Sequence, residues 1–303
     1  MSGRAVKPPG PFLCSQSTGV AGPSCMSVAE FTPIVFAAAL LAGFLGSLTG
    51  LGGGVIVTPV LTLFLGVDIR YAIGASLVSV IATSSGAAAA YVRDGYSNIR
   101  VGMFLEIATT WGALFGAYLG THVSISYLSI IFGIILMQAA WQASRDHGHG
   151  TKTLPPDLTA ERLRLNGEYR RETGIQRYQV HRVKTGFGLM FGAGTLSGLL
   201  GIGSGSLKVI AMDQAMQIPF KVSTATSNFM IGVTAAASAT IYLSRGYVNP
   251  AIAMPVMLGV LSGSIIGARF LAVLPAKVLR RVFAAVVAAM AVQMIASGLR
   301  GKI

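Results

Sequence analysis

The sequence predicts an all-α polytopic membrane protein. We expect two homologous repeats of about four spans each, with a short helical segment after a glycine-rich break in each half. The 303 residues are 53% hydrophobic and only 11% charged, whereas soluble domains average about 25% charged residues. Uncharged stretches reach the roughly 20 residues that cover the hydrocarbon core. They include 71–92, 185–207, 222–244, 246–268 and 282–299.

The first glycine break interrupts a hydrophobic region at Gly50-Leu51-Gly52-Gly53-Gly54. Each glycine costs about 1 kcal/mol relative to alanine in a helix, so this run disfavours a continuous helix. In a bilayer, the freed backbone groups must find partners in protein or in a water-filled cavity. A second break, Gly201-Ile202-Gly203-Ser204-Gly205, lies 151 residues later.

The same offset of 151 residues relates further positions without a gap, which indicates a duplicated membrane unit. The matched pairs are Ser76 and Ser227, Thr83 and Thr234, Tyr91 and Tyr242, Asn98 and Asn249, and Gly112 and Gly263. Corresponding glycine-interrupted segments in two halves are the best sequence indication of a transporter's binding site.

Four segments follow from this organisation. They are a disordered N-terminal tail (1–30), a first membrane repeat (31–142), a charged cytoplasmic linker (143–183) and a second membrane repeat (184–299). The linker's middle, 158–170, is a candidate surface helix. In the first repeat we expect spans at 32–48, 71–92, 101–121 and 126–142, with a short segment at 55–67. In the second we expect spans at 184–200, 221–243, 249–269 and 278–298, with a short segment at 206–219.

The net charge of +13 is typical of basic cytoplasmic loops, and this bias places the linker in the cytoplasm. Nucleic acid is not an expected partner, because the basic residues are not interleaved with stacking aromatic residues. The number of crossings stays open. Short segments that cross fully give five spans per half and inverted halves, whereas re-entrant segments give four spans and parallel halves.

The break and its surroundings resemble the TauE/SafE membrane proteins, the sulfite exporter family. The resemblance rests on the stretch from Gly50 to Pro59, the Gly-Ala-Ser stretch at 74–76 and the Ser-Thr-Ala-Thr-Ser-Asn stretch at 223–228. It covers roughly 32–299 and implies two four-span repeats in the inner membrane that transport small anions, mostly sulfite, sulfonates or related organosulfur compounds. This chain departs from the family at Gly203-Ser204-Gly205 and in carrying Lys208 and Asp213 in a usually apolar segment.

Both breaks are candidate anion sites. Unpaired backbone N–H groups and the positive end of the dipole at a helix N-terminus suit an anion. The alternative is close helix packing through small residues, which is the expected role of Gly112, Gly116 and Gly120. We favour the site, because packing needs glycines spaced by four. The predicted substrate-binding residues at the breaks are Gly52, Gly53, Gly54, Gly203, Ser204 and Gly205.

A second set of candidates carries hydroxyl and amide groups on the helices after the breaks. They would surround the oxygens of the substrate, or else bond back to the carbonyl of a preceding turn. These predicted substrate-binding residues are Ser76, Ser79, Thr83, Ser227, Asn228 and Thr234.

Three charged residues lie within apolar segments. Glu106 is a candidate for proton coupling, since intramembrane acids are usually functional, or it is an interfacial residue near a helix end. Lys208 follows the second break and would add a full positive charge to an anion site, or would extend to the interface. Asp213 is a second proton-coupling candidate.

These observations predict a secondary transporter of small anions, sulfite or sulfonates among them, that works by alternating access between two repeats. The alternative is a non-transporting scaffold or accessory protein that acts through its basic cytoplasmic linker. We expect no enzyme activity, cofactor or metal. The expected partners are the small anion and the lipid bilayer of the inner membrane, and the sequence specifies no oligomeric state.

Overall fold

The computed structural model describes residues 28–49, 54–93, 97–144, 157–171, 174–270 and 276–300. These residues form eleven α-helices, a π-helical segment and a two-stranded hairpin. The first half contains α1 (Val28–Thr49), α2 (Gly54–Leu65), α3 (Ile69–Arg93), α4 (Ile99–His122) and α5 (Ile125–Ser144). The linker contains α6 (Leu158–Arg162), β1 (Gly167–Arg171) and β2 (Gly174–Tyr178). The second half contains α7 (Val183–Leu200), α8 (Gly205–Ile210), the π-helical segment (Ala211–Ala215), α9 (Phe220–Ser244), α10 (Pro250–Phe270) and α11 (Ala276–Leu299).

The helices lie where the apolar stretches predict them. Both ends of α3, α4, α5, α7, α9, α10 and α11 lie within two residues of the expected bounds. The predicted tail lies outside the described residues up to position 27, and α1 begins at Val28. Over the residues that the structure describes, no helix combines the length and the apolar character needed to cross a membrane.

The linker differs from its prediction. The expected helix over 158–170 ends at Arg162, and the chain then enters the hairpin, in which Gly167 pairs with Tyr178 and Arg171 with Gly174. A tertiary contact accounts for this. Asn98, before α4, donates hydrogen bonds from Nδ2 to the Leu165 carbonyl (3.1 Å) and to the Tyr178 hydroxyl (2.7 Å).

Helices of the two halves pack against one another in four principal pairs: α1 with α10, α4 with α7, α5 with α11 and α3 with α9. Glycines allow the close approach that was predicted for them. A Cβ added at Gly116 would lie 1.9 Å from the Thr195 carbonyl oxygen, and one added at Gly112 would lie 2.2 Å from that of Phe191. The helix backbones of α4 and α7 are therefore in direct contact.

The contacts also give the relative directions of packed helices. Gly74 meets Tyr247 and Gly232 meets Ser84, so α3 and α9 run antiparallel. In the α4–α7 pair, Gly194 meets Thr109 and Gly198 meets Ala113, so these helices run parallel. We call the end at which Asn98 contacts the linker the linker end. The opposite end, where Arg70 donates to the carbonyl of Val123 (3.0 Å), is the far end.

Buried residues form two clusters. The larger one surrounds α3 and includes Leu77, Phe132 and Val256. The smaller one lies towards the linker end and joins linker residues, such as Leu165 and Val180, to Val101 and Leu105 of α4. The linker therefore packs directly on the helices and covers the linker end of this second cluster.

We expect Gly116→Ala to destabilise the fold by about 1–3 kcal/mol, the usual cost of overpacking, because the added methyl group meets backbone atoms of α7. Gly188→Ala is the matched control, since a Cβ there meets nothing within 4 Å and alanine is the better helix former. Thermal unfolding in detergent measures both. Equal unfolding temperatures for the two variants would contradict this account of the α4–α7 contact.

The Asp157 side chain anchors the linker to α7, because its carboxylate accepts hydrogen bonds from the backbone N–H groups of Val183 (2.9 Å) and Thr159 (2.8 Å). The bond from Val183 is the main cause of a pKa below the ordinary value of 3.8. The resulting stabilisation is fully present above pH 3.8 and is lost as pH falls through the lower folded pKa.

We therefore expect Asp157→Ala to increase amide hydrogen exchange at Val183 and Thr159 at neutral pH. In the unmodified protein the same increase should occur only below pH 3.8. Glu168→Ala, which removes an exposed ion pair with Arg177, should leave exchange at these amides unchanged. Unaltered exchange in Asp157→Ala would show that the carboxylate does not hold the linker.

Candidate functional site

The backbone of the second break has positive φ angles, which glycine adopts more readily than other residues. Gly201 ends α7 with φ of +66° and donates its N–H to the Ser197 carbonyl (2.8 Å), and Gly203 has φ of +71°. Ser204 also has a positive φ, +41°, which is uncommon for a residue with a side chain. Its hydroxyl is buried and has no hydrogen-bond partner among the described residues. The chain then turns inward and begins α8 at Gly205.

Two serines at equivalent positions hold the breaks in place. The Ser76 hydroxyl of α3 lies 3.1 Å from the Gly54 carbonyl, and the Ser227 hydroxyl of α9 lies 3.1 Å from that of Gly205. Ser76 also lies 3.0 Å from the carbonyl of Gly201. One hydroxyl therefore contacts both breaks, which brings the interrupted segments of the two halves together. Gly52 and Gly53 lie outside the described residues.

Most of the other predicted hydroxyl and amide groups bond to their own helices. Ser79 donates to the Ser76 carbonyl (2.7 Å), Thr83 to that of Ser79 (3.0 Å) and Asn228 to that of Thr224 (3.1 Å). These are the local bonds that formed the alternative interpretation. A role for these groups in substrate binding stays a prediction.

Thr234 is different, because it lies between two buried charged groups. The Lys208 ammonium of α8 donates to the Thr234 hydroxyl of α9, and this hydroxyl lies 2.7 Å from Oε1 of Glu106 on α4. Lys208 is 0% exposed and Glu106 is 8% exposed. The structure therefore joins three of the predicted site residues, from three helices, into one buried cluster that we call the Lys208 cluster.

The two charges of the Lys208 cluster do not form a direct ion pair. Within the described part of the chain, no Lys208 nitrogen lies within 4.0 Å of a Glu106 oxygen. Glu106 Oε1 also accepts from Thr110 (3.2 Å), while Oε2 is buried and has no hydrogen-bond partner among the described residues. The cluster thus contains an acceptor oxygen that is shielded from solvent and free to bind a proton.

The Lys208 cluster has no second copy related by the sequence offset. At the offset of 151 residues, Lys208 corresponds to Val57 and Glu106 to Met257, and only the threonine has a counterpart, Thr83. Asp213, the other proton-coupling candidate, lies in the π-helical segment after α8 and is partly buried. The offset therefore relates the threonines, whereas each half contributes one charged residue that the other half lacks, Glu106 in the first and Lys208 in the second.

Sequence reasoning missed two residues of this site. Thr110 follows Glu106 by one helical turn, and this spacing places a hydroxyl next to a carboxylate on one helix face. Gly201 was seen only as part of a break, although its carbonyl receives the bond from Ser76. The first could have been found from spacing alone, while the second depends on contact between the halves.

Comparison with known proteins identifies the family. The sequence profile described as sulfite exporter TauE/SafE matches residues 35–294. The chain belongs to this family. The match covers both halves and the linker, and it confirms the resemblance inferred from the glycine breaks. No solved structure matches the chain.

Relatives of this TauE/SafE protein agree with that assignment. The probable membrane transporter protein YunE of Bacillus subtilis (strain 168) is 29% identical over 236 residues, which cover 76% of this chain and 84% of YunE. YdhB, a probable membrane transporter protein of the same bacterium, is 24% identical, with coverages of 82% and 91%. MamO of Paramagnetospirillum magneticum is 27% identical over 95% of this chain and 48% of its own length. The family and these relatives indicate a membrane transporter and therefore a membrane location.

We expect Thr234→Val to destabilise the protein by about 1–3 kcal/mol or more, because it leaves the buried ammonium without its described acceptor. The matched control is Thr83→Val at the equivalent position, where the hydroxyl bonds only within α3. Chemical or thermal unfolding in detergent compares the two. A larger loss for Thr83→Val would contradict the bridging role of Thr234.

Proposed function

We propose that this TauE/SafE protein is a secondary transporter that moves a small anion, with sulfite and sulfonates as the leading substrates, across the inner membrane. The observation that carries the proposal is the buried Lys208 ammonium at the second glycine break. The family takes its name from sulfite export. The relatives are named as transporters, which agrees with the expectation that the chain is not an enzyme.

The buried ammonium supports an anion site on energetic grounds. Removing a charged group from water costs several kcal/mol unless charges and hydrogen bonds compensate for it. Among the described residues, the Lys208 ammonium donates one hydrogen bond, to the neutral Thr234 hydroxyl, although it has three protons to donate. A small oxyanion supplies the missing acceptors.

The arrangement of the helices supports two inverted halves, 31–142 and 184–299, joined by a cytoplasmic linker over 143–183. Counterpart helices run in opposite directions, as α3 and α9 do. The α5–α11 pair behaves likewise, since Gly133 meets Ile295 and Gly298 meets Ile130. Inversion requires an odd number of passes in each half. We therefore favour five passes over four, with each break and the short helix after it, α2 or α8, together making one pass.

A multi-pass location is supported by the outer surface of the helices. Large apolar side chains are exposed on this surface, including Trp111, Phe115, Tyr127 and Trp141. Exposed apolar patches of this kind are suited to contact with lipid. The basic linker then lies in the cytoplasm according to the distribution of lysine and arginine. Rocking of one half against the other would expose Lys208 to each side in turn.

The glycine breaks and their serines retain a part in this proposal. Ser76 and Ser227 position the breaks through their carbonyls, so that the backbone N–H groups that follow are held near mid-membrane. The substrate would lie between these N–H groups and Lys208. Contacts of Ser79 and Thr83 with the anion would require the hydroxyl to rotate away from its helix carbonyl, whereas Asn228 has a second N–H to donate.

Uptake by proteoliposomes tests the proposal. We expect saturable uptake of labelled sulfite or a small sulfonate, and a reduction of at least about tenfold in Lys208→Ala, which corresponds to a loss of 1.4 kcal/mol in substrate binding. Lys184→Ala is the matched control, because Lys184 is an exposed lysine at the start of α7. Equal uptake in both variants would contradict a role for Lys208, and no uptake of any anion by the unmodified protein would contradict the proposed function.

A further inference from the structure

The Lys208 cluster is electrically balanced before any substrate binds. One ammonium and one carboxylate lie on either side of the Thr234 hydroxyl, and neither is exposed by more than 8%. A monovalent anion that entered this space beside an ionised Glu106 would leave a net negative charge in a buried site. Buried charge without compensation is strongly disfavoured. The substrate anion and the Glu106 carboxylate therefore compete for the same ammonium.

Proton uptake by Glu106 resolves this competition. Its Oε2 atom is buried, and no described residue donates a hydrogen bond to it, so a proton can bind there without breaking an existing bond. The charge of the cluster is then +1, and a monovalent anion restores neutrality. A divalent anion does not, since it leaves a buried negative charge in either protonation state of Glu106.

We propose that Glu106 is the resident counter-anion of Lys208, and that a monovalent substrate anion replaces it only when Glu106 has bound a proton. This inference rests on the proposed transport function and adds its coupling and its charge selectivity. One proton enters from the side on which the anion binds, Glu106 carries it on Oε2, and both leave together on the other side. The complete step moves no net charge.

The Thr234 hydroxyl can reorient when Glu106 gains or loses a proton. Its single proton has two acceptors in range, Glu106 Oε1 at 2.7 Å and the Met230 carbonyl at 2.8 Å. While Glu106 is ionised, the proton is best placed towards the carboxylate. When Glu106 is protonated, the hydroxyl can donate to Met230 and still accept from Lys208. The threonine therefore stays bonded in both states.

Other titratable groups are present on the surrounding helices. Arg100 on α4 and Lys184 on α7 are exposed, and Arg70 of α3 bonds at the far end. Tyr242 of α9 donates to the Leu199 carbonyl. Further groups include Tyr71, Tyr118, His122, Tyr178, His181 and Asp213. Among the described contacts, only Lys208 shares a hydrogen-bond partner with Glu106.

The asymmetry of the two halves sets the stoichiometry. Because Val57 and Met257 occupy the equivalent positions, the chain has one buried lysine and one buried glutamate of this kind within the described residues. We therefore infer one proton and one anion in each cycle.

Methanesulfonate is the appropriate probe, because it remains a monovalent anion over the working pH range. The full chain is reconstituted in proteoliposomes that contain a pH-sensitive dye, and uptake of labelled methanesulfonate is followed together with internal acidification. We expect one proton per sulfonate, no dependence on membrane voltage, and little uptake of labelled sulfate. Uptake at low substrate should rise about tenfold per unit decrease in external pH while Glu106 is mostly ionised, since apparent affinity follows the protonated fraction.

Glu106→Gln removes the titratable group and keeps a side chain that accepts from Thr234 and Thr110. We expect it to transport methanesulfonate without acidification, without pH dependence and with a new dependence on voltage. Glu106→Asp, which restores an acid, should recover acidification. Glu161→Gln, at an exposed linker position, is the matched control and should behave as the unmodified protein does. Unfolding temperatures identify any variant that fails to fold. If Glu106→Gln does not fold, the pH profile of uptake by Glu106→Asp provides the test.

Three results would overturn the inference. They are methanesulfonate uptake by the unmodified protein without acidification, acidification that persists in Glu106→Gln, and sulfate uptake equal to that of methanesulfonate. Acidification lost only in Asp213→Asn would assign coupling to Asp213 instead. A complete absence of anion uptake by the unmodified protein is a different failure, because it overturns the proposed function as well.

Discussion

The cost of burying the Lys208 ammonium is the constraint on which the rest of the site depends. The chain breaks at Gly201–Gly205, and α8 therefore begins inside the protein, at the buried Gly205. The break therefore lets Lys208, in the short helix α8, lie fully buried. Thr234 and Glu106 then make the position tolerable, one as a hydrogen-bond acceptor and the other as a balancing charge.

Glycines outside the Lys208 cluster allow the helices that carry it to pack closely. The glycines of α4 bring its backbone against α7, and α4 also packs on α9. Glu106 lies on α4 and Thr234 on α9, and Gly102 of α4 allows this second contact, because a Cβ added there would lie 3.1 Å from the Thr226 side chain of α9. Glycine thus has two roles in this chain, since it interrupts helices at the breaks and allows contact between them elsewhere.

The two halves share a scaffold and differ in their chemistry. The bonds from Ser76 to Gly54 and from Ser227 to Gly205 are equivalent at the offset of 151 residues, so both breaks are held in the same way. The charged positions differ between the halves. Val57 occupies the position equivalent to Lys208, and Met257 occupies the position equivalent to Glu106. Equivalent serines hold both breaks, whereas one unmatched charged residue from each half, Glu106 and Lys208, makes a single charged site.

The sequence by itself determined the helices, the breaks and the family. Apolar length limits where a helix begins and ends, and this is why the bounds of α3 and α9 were predicted within two residues. The linker was predicted less well, because a short polar segment has no such constraint and its hairpin depends on contacts with Asn98. Tertiary structure alone decided that Glu106, Thr234 and Lys208 meet and that α3 and α9 run antiparallel. Residues so far apart in the chain come together only through helix packing, and neither periodicity nor charge pattern records which helices are neighbours.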